Sequence, residues 1–406
     1  MKSARFLLAI LAAIFAIVNV AAVKSVQPID GFYKKIITRN VTDSDVVLVN
    51  QTYPMLCFST RLESDYPKLA RALSDYNTEL IQTAKTSRER IADIARERRA
   101  AMPSEKLEPF YYGGDIFIRR ADSVAVSMIN SYEDYAGGAH GMHGWIGASF
   151  DSQTGKRLTI SDICTNAEQL HSVLIESLHR EHENGLFNDA ESTVLKLIAE
   201  DKINFVLEPR GVMFIFNPYE IAPYAAGMIN LTILFDEQPQ LFKAKYRQSS
   251  AAFAQSIPMY YPTVIEMNGR RAEISIAPDG MEGDVVAVTI DDRALVASLK
   301  GVQAMSYACT ANGGHFLYVE ATAEADGFSA VEGKCITIFK LNGEPEVFDR
   351  IPYTFQHLID RESASDDQIW WLMTDPNSIQ FDSAMPVGDR YSHFGAINSD
   401  GTFSFG

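Results

Sequence analysis

The sequence predicts an α+β protein: an antiparallel sheet with packed helices in its first part, then a mainly β part built as a sandwich or a propeller-like sheet. Three observations predict it. Apolar periodicity between about residues 32 and 235 runs strands, then helices, then strands, the order of an α+β unit rather than of a repeated βαβ unit. Past residue 257 the helical period disappears, and short β-branched runs alternate with turn signals. The length, 406 residues with 47% apolar content, exceeds what one core usually fills and predicts two domains.

Phe32 to Arg39 and Asp45 to Tyr53 alternate or run apolar with β-branched residues and read as strands. Pro67 to Arg99 places Leu69, Leu73, Tyr76, Leu80, Ala84 and Ile91 at helical spacing, and its charge-rich last part reads as a solvated helix face. Strands are predicted at Gly114 to Arg120, Ser123 to Tyr132 and Trp145 to Asp151, with a glycine-rich loop between the last two. Ala167 to His182 and Ala190 to Leu197 read as helices, and Phe205 to Leu207, Val212 to Asn217 and Met228 to Phe235 return to strand. Lys245 to Ile257, polar and rich in small residues, is the best linker. Beyond it, short strands such as Val285 to Ile290, Phe316 to Ala321 and Cys335 to Leu341 are separated by turn sequences such as Asn312-Gly313-Gly314 and Asn342-Gly343.

The first 22 residues carry Lys2 and Arg5, an apolar run from Phe6 to Val18 and then Val20-Ala21-Ala22, the pattern of a cleaved export signal. An uncleaved anchor is the alternative, since the run falls just short of the ~20 residues of a spanning helix. A periplasmic or extracellular location follows, with no stable membrane insertion after cleavage. Four cysteines in an exported chain permit disulfides, Cys57 with Cys164 and Cys309 with Cys335 being the simplest pairing; four buried thiols are the alternative. Residues 255–406 hold 22 acidic and nine basic side chains, net −13 of the total −16. So acidic a surface disfavours nucleic acid and anionic lipid and suits a cationic protein.

Three blocks stand out. They are Ile118-Arg119-Arg120-Ala121-Asp122-Ser123-Val124-Ala125-Val126-Ser127, the loop Tyr135-Ala136-Gly137-Gly138-Ala139-His140-Gly141 with the turn segment Gly147 to Asp162 behind it, and Phe214 to Gly227 with Asn217-Pro218-Tyr219-Glu220. In this order and spacing they resemble the extracytoplasmic domain family of RsiV-like anti-sigma factors, which also forms the N-terminal part of PdaC-like peptidoglycan deacetylases. The resemblance covers residues 27–246 and implies an α+β domain that binds a protein, such as a cationic lysozyme-like hydrolase. Residues 255–406 resemble no family and are expected to form an acidic β domain. The chain departs from both relatives. Five residues precede its apolar run, too few for a segment that holds a sigma factor, and residues 255–406 lack a deacetylase's paired aspartate and histidine ligands.

The expected contact residues are Gly137, Gly138, His140, Gly141, His143, Trp145, Tyr219 and Glu220. The glycines suit a backbone needing positive φ or close approach, His140 orients the loop through backbone hydrogen bonds, and His143 and Trp145 make surface contacts. For Asn217 to Gly227 a ligand-facing edge, with Glu220 anchoring a donor, stands against a packing corner with core tyrosines. His140-Gly-Met-His143 lacks the further ligands of a metal site, and no cofactor is expected. The sequence holds no G-x-S-x-G elbow, S-x-x-K or phosphate-binding glycine loop. The expectation is therefore a non-catalytic module that binds a cationic protein or a cell-wall fragment, with a cell-wall hydrolase using carboxylates as the rival.

Overall fold

The computed structural model describes residues 25–102, 108–182, 185–267, 269–278, 285–291, 293–300, 306–322, 334–342, 344–351, 353–355, 357–359, 367–383 and 392–405. The expected export signal lies outside them. The first part runs β1 (Phe32–Thr38), β2 (Val41–Asp43), β3 (Val46–Phe58), α1 (Thr60–Asp65), α2 (Pro67–Ala101), β4 (Phe110–Ala121), β5 (Ala125–Tyr135), β6 (Met142–Asp151), α3 (Ile160–Ile163), α4 (Ala167–His182), α5 (Ala190–Ala199), β7 (Phe205–Leu207), β8 (Gly211–Phe216), β9 (Ile229–Leu234) and α6 (Ala244–Arg247). The second runs β10 (Phe253–Ser256), β11 (Thr263–Met267), β12 (Arg270–Pro278), β13 (Val285–Ile290), β14 (Arg293–Lys300), β15 (Ser306–Ala311), β16 (Gly314–Thr322), β17 (Lys334–Lys340) and β18 (Glu346–Ile351), and ends with β19 (Tyr353–Phe355), β20 (His357–Ile359), β21 (Gln368–Leu372), β22 (Ile379–Ser383), β23 (Ser392–Ile397) and β24 (Phe403–Phe405). The protein is α+β, and no barrel or propeller closes among the described residues.

The main sheet has the order β20-β21-β1-β3-β4-β5-β6. Every pair along it is antiparallel except β3 with β4, which α2 joins as a crossover. This single βαβ unit was not expected. A 35-residue helix is long enough to carry the chain back to the start of the neighbouring strand, and that makes the pair parallel. Pro67 opens α2, where a missing N–H costs least, and Leu69, Leu73, Tyr76, Leu80 and Ala84 face the sheet. Two polar side chains weld helix to sheet: Asn77 exchanges both hydrogen bonds with the backbone of Leu56, and Gln51 donates to Ala84 O. Helices α4 and α5 and the small sheet β7-β8-β9 share a second core around Leu174, Val194 and Phe214.

In the second part a nine-stranded sheet bends so that β11–β13 face β15–β17 through Ile274, Val288, Leu317 and Phe339, a sandwich made from one sheet. Its other face meets Trp371, Met373 and Ile379. Of the tryptophan pair, Trp371 is buried and Trp370 is half-buried, as strand alternation requires. Strand β21, which carries both, pairs with β1 and so returns to the main sheet.

The segment expected as a linker is structured. Phe253–Ser256 is strand β10, paired with β15, and buried arginines grip the chain around it. A bulge between β4 and β5 makes Arg119 an extra residue, so two successive side chains turn inward. Arg119 binds the Glu208 carboxylate and Ser256 O; Arg120 binds Asp122, Tyr246 O and Gln248 O.

The expected disulfides are corrected. All four cysteines are thiols. Cys309 on β15 registers with Phe316 of β16, whereas Cys335 on β17 registers with Ala321. Two interstrand spacings of about 4.8 Å and five residues along β16, about 17 Å, separate them, far beyond the about 7 Å that a disulfide spans between Cα atoms. Cys57 lies on β3 opposite Tyr33, whereas Cys164 ends α3 and pairs with Phe242 beneath the helices.

Candidate functional site: an aromatic cleft on the main sheet

The site begins with strand register. Across β4, β5 and β6, Gly113, Glu133 and His143 form one row, Asp115, Ser131 and Trp145 the next, and Phe117, Ile129 and Gly147 a third. Side chains alternate faces along a strand, so all three rows share one face of the sheet. The opposite face, with Ile116, Ile118 and Met128, packs on α2. The third row and Trp145 are covered by Val206, Met213 and Ile215 of the small sheet. Over the first two rows the face opens into a cavity of about 550 Å³, walled further by Tyr111, Tyr224 and the segment 258–261.

Edge strand β6 is held by side chains instead of another strand. Asn217 accepts a hydrogen bond from Trp145 N at 2.8 Å and donates to Trp145 O at 3.0 Å; Asn204 accepts from Gly147 N and donates to Trp145 O, both at 2.8 Å. An exposed edge would otherwise present unpaired amides and carbonyls. Glu220 in turn accepts the Asn217 N–H at 3.0 Å. Burial pushes the Glu220 carboxyl above its ordinary range, and that one backbone bond only partly opposes the effect.

The loop and the Asn217 to Gly227 block meet at Tyr224. Its hydroxyl donates to Gly141 O at 2.8 Å, its ring stacks on His140 with centroids 3.9 Å apart, and His143 meets it edge-on at 5.6 Å. Tyr261 reaches over from the second part to pack edge-on against Trp145 at 4.8 Å. Two of the surrounding tyrosines, Tyr219 and Tyr260, are more than half exposed and have φ of 71° and 70°, left-handed conformations that cost a side-chain-bearing residue about 1 kcal/mol or more.

Of the residues expected to make contacts, Gly141, His143 and Trp145 line the cleft, and His140 and Tyr219 flank Tyr224. Trp145, expected at the surface, is buried, because the small sheet covers one side of its ring. Glu220 faces its own turn and fixes Asn217, so it anchors no donor in the cleft. Gly137 and Gly138 sit at the turn outside the cleft with φ of 86° and 107°. Gly141 has no such φ; an added Cβ there would lie 2.5 Å from Asp134 O.

Sequence reasoning did not single out Tyr111, Asp115, Glu133, Tyr260 and Tyr261. Alternation along β4 and β5 could have put Asp115 and Glu133 on one face, but Tyr260 and Tyr261 arrive only through the packing of the second part. The two carboxylates differ. Asp115 accepts Lys34 Nζ at 2.6 Å and Ile116 N at 2.7 Å, and that buried lysine also lies over the Phe117 and Trp370 rings. Glu133 is exposed and forms no salt bridge among the described residues. No group of three or more histidine, cysteine or acidic side chains is placed to hold a metal among the described residues, and no described helix is long and apolar enough to cross a membrane.

None of the curated proteins matches this chain. The solved structures similar to this chain include two from one family. A member of the DUF3298 family from Bacteroides fragilis aligns at 18% identity and TM-score 0.37, over 54% of this chain and 96% of its own. A DUF3298 family protein from Pseudomonas aeruginosa aligns at 16% identity and TM-score 0.34, over 55% and 96%. Residues 161–236, which span α4, α5, β7–β9 and the Asn217 to Gly227 wall of the cleft, match DUF3298, a family described as a protein of unknown function.

Proposed function

We propose that the protein is an exported, non-catalytic binding module that holds a cationic protein partner in the aromatic cleft. The observation that carries this reading is the cleft itself: a ring-lined cavity with an exposed carboxylate, Glu133, that has no salt-bridge partner among the described residues. The net charge of −16 adds long-range attraction for such a partner. The three blocks resembling the RsiV-like extracytoplasmic domains support it as well, since two of them meet at Tyr224 and that resemblance implies a lysozyme-like partner. The test is binding of the chain lacking residues 1–22 to a cationic lysozyme across a salt series. Binding that weakens as salt rises, and weakens further with Glu133→Gln, is expected. Absence of binding tighter than about 1 mM at low salt would sink the reading.

One observation favours a second reading, a cell-wall hydrolase. Asp115 and Glu133 are diagonal neighbours on one face of β4 and β5 with Cα atoms about 7–8 Å apart, close enough for their carboxyls to flank one glycosidic bond. Against it, the Asp115 carboxylate is already engaged by Lys34 and a backbone amide. Release of reducing ends from peptidoglycan that disappears with either Asp115→Asn or Glu133→Gln would establish this reading in place of the first.

A further inference from the structure

Resting on the binding reading, we infer that the cleft is a seat for one organic cation on an aliphatic stem, a lysine or arginine side chain of the partner inserted between aromatic rings and bonded to Glu133. A cation gains most where ring faces lie within about 6 Å and a carboxylate completes its coordination. The cleft has both. Trp145, Tyr261, His143 and Tyr224 form one connected series of edge-on and tilted ring contacts along its wall, and Tyr111 and Tyr260 line it from other sides. Glu133 stands in the row between Gly113 and His143, and its own side chain lies over Gly113, where an added Cβ would meet its Cγ and Oε1 at 3.2 Å, so the missing side chain there makes room for the carboxylate on the cleft face.

Among the described residues, the nearby lysine and arginine are engaged elsewhere, Lys34 with Asp115 and Arg90 with Asp134, each at 2.6 Å. A long apolar stem would lie along Met142 and Met259, which line the same cavity. The left-handed backbone at Tyr260 is a second, independent sign. Its N–H is fixed on Ile276 O at 2.8 Å, so the strained turn holds an exposed ring at the mouth, where a strain-free conformation would release it. Strain retained for an exposed ring at a cavity mouth fits a ligand contact better than it fits packing.

The experiment uses the chain lacking residues 1–22 and three fluorescent decapeptides of one sequence that carry four lysines, four arginines or four glutamines. Fluorescence polarisation is read for the unsubstituted chain, Glu133→Gln, Tyr260→Ala and a remote acid control, Glu344→Gln. Saturable binding of the lysine or the arginine peptide but not the glutamine peptide is expected, weakened at least tenfold by Glu133→Gln, severalfold by Tyr260→Ala and little by Glu344→Gln. Tighter binding of the lysine peptide would assign an ammonium, and of the arginine peptide a guanidinium.

Equal binding by all four proteins would overturn the inference, because attraction would then come from overall charge; so would equal binding of the glutamine peptide. Circular dichroism melts of each variant exclude unfolding as the cause of a loss. If the cationic lysozyme binds while no peptide does, the seat is wrong and the module reading stands. If neither binds, the reading itself fails.

Discussion

At the scale of single residues, the glycine loop separates shape from contact. Gly138 has φ of 107° with open space around it, so a side chain there would meet no neighbour and strain the backbone alone. Gly138→Val should therefore destabilise the protein by at least about 1 kcal/mol in denaturant unfolding. His143→Ala, at the cleft lining, should change stability by less than about 0.5 kcal/mol while weakening partner binding. The reverse pattern would make His143 structural. Glu220 offers a test of sign. Its folded-state pKa is raised by burial, so its favourable contribution is present at low pH and lost as pH rises through the folded value. Glu220→Gln, which keeps an acceptor for Asn217 N, should match or exceed the unsubstituted protein in melting temperature at pH 7.5, and that advantage should shrink at pH 4. A lower melting temperature at pH 7.5 would show that the charge itself is needed.

At the scale of elements, strands and helices were legible because each keeps its period. The Leu69, Leu73, Tyr76 and Leu80 stripe is the buried face of α2, and the alternation in β4 and β5 is the alternation of the cleft rows. What the sequence could not show was engagement across elements. Arg119 and Arg120 read as charges at a strand end, yet both are buried, and their guanidinium groups bind backbone carbonyls of a segment whose composition suggests a linker. Such pairing depends on residues 89 to 137 positions away, which no local pattern encodes. The same distance hid half of the cleft wall. Arg119→Met should cost about 3–5 kcal/mol, because it leaves the buried Glu208 carboxylate uncompensated, and adding Glu208→Met should recover much of that loss. Equal instability of single and double variants would mean that Glu208 is not the group penalised. Asp151 extends the argument to acid. Burial alone would raise its pKa, but hydrogen bonds from Lys245 and Thr154 outweigh that and hold it below the ordinary range. Its contribution is thus present above the unfolded pKa and lost as pH falls through the folded one. Asp151→Asn should flatten the stability loss below about pH 4.

At the scale of the whole molecule, the question is whether the two parts unfold together. Contacts that tie them include β21, which hydrogen-bonds along β1 from Phe32 to Ile36, Thr374 Oγ1, which donates to Ile29 O at 2.7 Å, Arg119, which binds Ser256 O, and Tyr261, which packs on Trp145. Trp371 sits at this joint, 1% exposed, on the strand that belongs to the main sheet but among side chains of the nine-stranded one. Trp371→Ala would remove the largest fully buried side chain, at about 3–5 kcal/mol by the usual cost of a core aromatic. If the joint makes one cooperative unit, that loss is shared: amides of β4 and β5, far from the substitution, should lose hydrogen-exchange protection in step with those of β16 and β17. Independent parts would respond differently, with β16 and β17 opening at lower denaturant and β4 and β5 unchanged. The first outcome is expected, because strand β1 would be left as an unpaired edge if β21 departed, and an edge strand beside a buried face is costly to expose. Coincident loss would also mean that the cleft, whose walls come from both parts, is held in shape by the global stability of the fold, so that a substitution as distant as Trp371→Ala weakens ligand binding once unfolding begins.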